Sequence, residues 1–150
     1  MRLETVVYRA AGKGVVSLIL GYTFKSITIL CIEEVPQIVL KNSGWRGSEV
    51  PHTENRPIEG LCIHFAGILA ASKFMKNKSY YESTNGDIEE LEELENKTVF
   101  TEEMRKEAWK KAEIFIDKYW IAISRVAEIL LIHWSIDRKT IKKFLSFHSE

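Results

Sequence analysis

Arg9 and Lys13 stand four residues apart in a stretch with helical apolar spacing, which puts two cations on one helix face. Such a pair suits an ion-pair cluster or an anion. Neither is a ready metal ligand, because a guanidinium offers no lone pair and a lysine must first lose its proton. Cys62-Ile63-His64 supplies two potential ligands, but residues two apart on a helix point in different directions and cannot share a metal without unwinding. A core cysteine and a partly buried histidine are expected there. His52 lies beside Glu49 and Glu54 in a loop and could hold a metal with them, although polar loop residues are usually just solvated. A nucleophilic pair of Cys31 or Cys62 with His64 is formally open, yet no oxyanion hole or activating environment marks it. His133 and His148 sit apart at helix ends, where histidine favours the helix dipole. Trp109, Tyr119, Trp120 and Trp134 recur along one helical stretch, a spacing of core residues rather than of a base-stacking platform.

The 150 residues are 45% hydrophobic and 28% charged, the composition of an ordinary globular domain large enough to form a core without staples. Twenty-one basic side chains balance twenty-one acidic ones, so no global charge draws the chain to nucleic acid or to an anionic membrane. Residues 1–80 carry 10 basic and 6 acidic groups and residues 81–150 carry 11 and 15, a modest asymmetry that could help the halves pack. Two cysteines do not make a disulfide scaffold. The apolar run at residues 15–20 is far shorter than the ~20 residues of a bilayer span, and it lacks a signal-peptide cleavage pattern. A cytoplasmic protein with no membrane or nucleic-acid partner is the expectation.

Apolar spacing over residues 4–20 predicts a first helix stopped by Gly21. Residues 24–32 alternate and are rich in β-branched side chains, and residues 37–40 could pair with them as a small hairpin. Residues 41–57, with two of the three prolines, read as a long exposed loop. Residues 58–76 resume helical spacing, and Ala66, Gly67, Ala70 and Ala71 permit close approach of another helix. A short acidic helix is expected from Asp87 to Leu94, then a long one from Thr101 to about His133 with a bend near Tyr119. Asp137 should cap a terminal helix. The charged runs Glu89-Glu90, Glu92-Glu93, Arg105-Lys106 and Lys110-Lys111 read as solvated faces that could also complement one another in a homodimer.

Read with their flanks, Arg9 and Lys13 carry more information. Residues 6–21, VVYRAAGKGVVSLILG, followed by residues 24–29, FKSITI, closely resemble the zinc helix of the FtsH-type metallopeptidase family, which reads H-E-A-G-H-A-V, an apolar run, a glycine and a strand. Residues 66–71, AGILAA, are similar to the A-G-P-A-A-E helix of small peptidase-domain homologues. Residues 83–88, STNGDI, look like the segment that supplies the third zinc ligand, here Asp87. Residues 119–131, YWIAISRVAEILL, are similar to the W-x-x-I-x-x-V-A-x-x-L-L pattern of the C-terminal helices. The matches occur in family order and span most of the chain, with no G-x-x-x-x-G-K-[ST] motif of an ATPase module.

The resemblance implies a mainly helical, single peptidase-like domain over residues 1–150 with a small β-hairpin between the first and second helices. It also implies that the site has lost its chemistry. In H-E-x-x-H the histidines bind Zn²⁺ and the glutamate activates its water. Arg9, Ala10 and Lys13 now hold those positions, and Asp87 alone keeps ligand chemistry. No cofactor and no metal are expected. Arg9 and Lys13 could instead form an ion-pair cluster with Asp87, or point to solvent while Asp87 caps its helix. The implied function is a catalytically inactive homologue acting as a binding or regulatory module for a protein or peptide partner, with Arg9 and Lys13 on peptide carboxylates. An atypical metal-dependent hydrolase using Asp87, His64 and His52 is the alternative, and a homo-oligomeric structural subunit is a third class.

Overall fold

The computed structural model describes residues 3–22, 24–32, 35–41, 56–76, 91–92, 94–96 and 98–146. Helix α1 (Leu3–Ile19) ends as the glycine predicts: Gly21 adopts φ +92°, and the amides of Gly21 and Tyr22 donate back to the carbonyls of Leu18 and Ser17. That pair of reversed bonds satisfies carbonyls that a helix end leaves open. The chain then forms β1 (Ser26–Ile32) and β2 (Val35–Lys41), antiparallel with Ile29 opposite Ile38 and Ile27 opposite Leu40. The hairpin lies where the alternation of residues 24–32 puts it.

Helix α2 (Pro57–Met75) starts with proline at its first position, where the missing amide costs no hydrogen bond, and stops at Lys76 with φ +52°. It is long and apolar enough to cross a membrane by length and composition, and 67% of it is buried inside the fold. Packing against its neighbours accounts for that apolar character. Of the loop expected at residues 41–57, Lys41 belongs instead to β2 and Pro57 to α2, and residues 42–55 fall outside the described residues, as does the start of the acidic helix, although residues 91–92 and 94–96 are helical.

The long C-terminal stretch is two helices, α3 (Glu102–Lys118) and α4 (Trp120–His133), joined at Tyr119. The Thr101 hydroxyl accepts from the Met104 amide at 3.1 Å and caps α3, with Glu102 and Glu103 favourably placed in the first turn. The break costs little, since Tyr119 still donates to Phe115 and accepts from Ile123. Of the side chains expected on the apolar side, Ala108, Ala112, Ile116, Ile123, Val126, Ala127 and Leu130 are buried and Phe115 is half-buried against the core.

Beyond α4 the chain departs from the two-stranded expectation. Trp134 turns at φ +62°, and residues Ser135–Asp137 form β3, giving a three-stranded sheet in the order β2-β1-β3. Ile136 sits opposite Ile27, both buried. Three residues are too few to show a strand period, so β3 arises from the tertiary position of α4. Asp137 then caps α5 (Arg138–Ser146), accepting from the Thr140 amide and hydroxyl at 2.8 Å, as expected. These bonds hold its carboxyl below the usual range.

Helix α1 is enclosed on all sides: every residue from Thr5 to Ser17 is buried. It packs on α2, α4 and the sheet. The expected one-sided apolar stripe therefore understates its burial. Gly12 makes the closest approach, since a methyl there would lie 2.7 Å from the Ala66 carbonyl oxygen and from the Ala70 Cβ. Backbone cannot yield as a side chain can. Gly12→Ala is expected to lower stability by about 1–2 kcal/mol, strain of about 1–3 kcal/mol outweighing the helix propensity gained. At Gly14 the nearest obstacle is the terminal methyl of Ile27, a movable group. Gly14→Ala should stay within about 1 kcal/mol of the parent in urea unfolding, because propensity offsets a small repacking.

Candidate functional site

Helices α1 and α2 run antiparallel, as shown by Gly12 against Ala66 and Ala70 at one level and Tyr8 against Phe74 at another. This seam contains the positions singled out in the sequence. Arg9, Ala10 and Lys13 are 3%, 1% and 4% exposed. Gly67 makes room for the Lys13 side chain: a methyl on it would sit 2.7 Å from Lys13 Cε, 3.0 Å from Lys13 Cγ and 3.3 Å from the Arg9 carbonyl oxygen. The lysine stem thus lies across a glycine that a larger residue would close. The Ser17 hydroxyl donates to the Lys13 carbonyl one turn on. The solvent-pointing alternative for Arg9 and Lys13 is therefore corrected, since α2 covers the face on which they stand.

Buried cations need compensation, because removing a charge from water without a partner costs several kcal/mol or more. Arg9 and Lys13 both have further interactions within the fold. Asp87, the carboxylate expected to meet them, lies outside the described residues, as do His52, Glu49, Glu54 and His148.

His64 and Cys62 lie in the core portion of α2. His64 is 1% exposed rather than partly buried, with its ring 5.6 Å from that of Phe65. Phe65 in turn meets Trp109 edge-on at 5.0 Å. Cys62 is fully buried, and burial pushes its thiol up to about 12. A thiol so placed is a poor nucleophile, since the thiolate is the reactive form. Among the described residues no three His, Cys, Asp or Glu side chains gather into a metal site.

The sequence reading missed an aromatic stack at the end of the seam. Tyr8 lies 4.1 Å from Phe74 in near-parallel stacking and 5.6 Å from Trp120. Burial raises the Tyr8 hydroxyl above its usual range, opposed by a hydrogen bond with Ser124 and aided by the Glu128 charge. Lys73 Nζ reaches across Trp120 at 5.1 Å and binds Asp117 at 2.7 Å, tying α2 to α3 and α4. Tyr8 stands beside Arg9 in the sequence, but nothing local announces its partners at positions 74 and 120. Trp109 and Trp120 pack against the core as expected, whereas Trp134 is 39% exposed because the left-handed turn carries it out of the helix.

No protein-family model matches this chain, and no curated protein matches it.

The donor set does not fit a zinc ion. Arg9 cannot coordinate, Ala10 carries no base, and Lys13 is buried with its stem against Gly67. In chemical terms α1 is a packed helix that carries two buried cations.

The thiol provides a direct check. Cys62 should resist iodoacetamide at pH 8 in the native protein and become modified only as the chain unfolds, which peptide mapping would read. Its pH dependence has a definite sign. The unfolded thiol ionises near 9.0 while the folded one stays protonated to about 12, so stability should fall as pH rises through that interval. The fall should be shallower in Cys62→Ala.

Proposed function

We propose that this chain is a catalytically inactive homologue of a zinc metallopeptidase domain of the FtsH type, retained as a binding or regulatory module. One observation carries the reading: the three positions that would be ligand, base and ligand hold Arg9, Ala10 and Lys13, and all three are buried inside the fold. A catalytic zinc site keeps one coordination position open to water and substrate. A sealed seam with cations in place of imidazoles has neither the ligands nor the opening. The order of elements agrees with the resemblance, with a motif helix, a β-hairpin, a small-residue helix and a broken C-terminal helix in succession.

Burial also moves the binding role away from the motif itself. A peptide could reach Arg9 and Lys13 only by displacing what covers them, so partner contacts belong on the outer surfaces of the fold. The alternative hydrolase, built on Asp87, His64 and His52, gains nothing from a His64 enclosed by the core.

Metal content after exposure to excess Zn²⁺, followed by incubation with labelled unfolded peptides, tests the proposal. The expected result is no stoichiometric zinc and peptides recovered uncut. Stoichiometric zinc that a chelator removes, together with peptide cleavage, would overturn it. The triple substitution Arg9→His, Ala10→Glu and Lys13→His tests the alignment separately: zinc binding that appears and is lost again on adding Asp87→Ala would support it, and no zinc binding would count against it.

A further inference from the structure

Helix α4 has two faces. Ala122, Ile123, Val126, Ala127 and Leu130 are buried, while Ile121, Arg125, Glu128 and Ile132 face outward. The outward four recur at intervals of four, three and four residues, the spacing of a coiled-coil seam. Its ends are exposed apolar side chains, Ile121 at 55% and Ile132 at 71%, about 16 Å apart along the helix. Its centre holds one cation and one anion. Neither Arg125 nor Glu128 has an ion-pair partner among the described residues; the Arg125 guanidinium lies 6.0 Å from the Phe144 ring centroid.

We propose that this face pairs with the same face of a second copy of the chain, with the two α4 helices antiparallel about a two-fold axis level with the Val126–Ala127 peptide. The pattern is self-complementary in that orientation alone. The two-fold brings Ile121 opposite Ile132 of the other copy and Arg125 opposite its Glu128, each contact occurring twice, as an isologous interface requires. A parallel pairing in register would instead set Arg125 against Arg125 and Glu128 against Glu128, an arrangement that like-charge repulsion disfavours. The same axis carries exposed Trp134 to the level of Tyr119 in the other copy. The charged faces of α3 make a poorer interface, because Lys106 and Lys111 already meet Glu102 and Glu107 within the helix and Arg105 meets Glu95. One pair of short helices buries less than the roughly 1,200–2,000 Å² of a tight complex, so a weak dimer is expected. The proposal is independent of the zinc reading, since no residue of α1 takes part.

Sedimentation equilibrium of the full chain, with folding verified by circular dichroism, tests it. The parent should dimerise at high micromolar concentration. Glu128→Arg and Arg125→Glu should each weaken self-association by about tenfold or more. Mixed together, the two variants should form a heterodimer, and the double variant Arg125→Glu/Glu128→Arg should recover the homodimer. A parent that stays monomeric to about 1 mM, a range still within reach of weak association, would overturn the proposal and leave the face to another partner. So would a dimer indifferent to both single reversals, or a mixture that fails to pair.

Discussion

The close contact of α1 with α2 is the constraint around which the rest of the molecule is arranged. Two helix axes approach most closely where side chains are smallest, and here Gly12 meets Ala66 and Ala70 while Gly67 receives the stem of Lys13. Because the helices interlock at glycine, α1 can be surrounded by α2, α4 and the sheet and still leave room for two long cationic side chains. That enclosure makes Arg9 and Lys13 part of the interior. It also commits them to compensation inside the fold, since hydration is no longer available.

The chemistry follows from the same contact. A hydrolytic metal site is an opening with ligands around it, whereas this seam is closed by van der Waals contact and carries no imidazole or carboxylate at positions 9, 10 and 13. The remaining reactive group of α2, the Cys62 thiol, is silenced by the burial that makes α2 a core helix. The outward face of α4, by contrast, combines exposed apolar groups with one cation and one anion.

Much of the architecture was legible because it rests on local periodicity and termination. Gly21 stops α1 with a left-handed turn, Thr101 and Asp137 accept the amides at the starts of α3 and α5, and the alternation of residues 24–32 fixes β1. That Arg9 and Ala10 cannot bind a metal ion follows from residue identity alone. Other features had no local signal. Strand β3 is three residues long, and it forms because Trp134 turns the chain back so that its carbonyl accepts from the Ile29 amide at 2.7 Å. The stack of Tyr8, Phe74 and Trp120 joins residues more than sixty positions apart.

The sequence by itself determined where α1 stops and where α3 and α5 start, which residues are apolar, and that positions 9, 10 and 13 offer no zinc ligand at neutral pH. Those properties depend on backbone preference, side-chain period and the lone pairs an atom possesses, all of which are fixed within a few neighbouring residues. Only the tertiary structure decided that Arg9 and Lys13 turn inward, that His64 is wholly enclosed, and that α1 is buried on every side. Burial is a property of what packs against a helix, and a helix with cations one turn apart reads the same whether water or another helix covers that face.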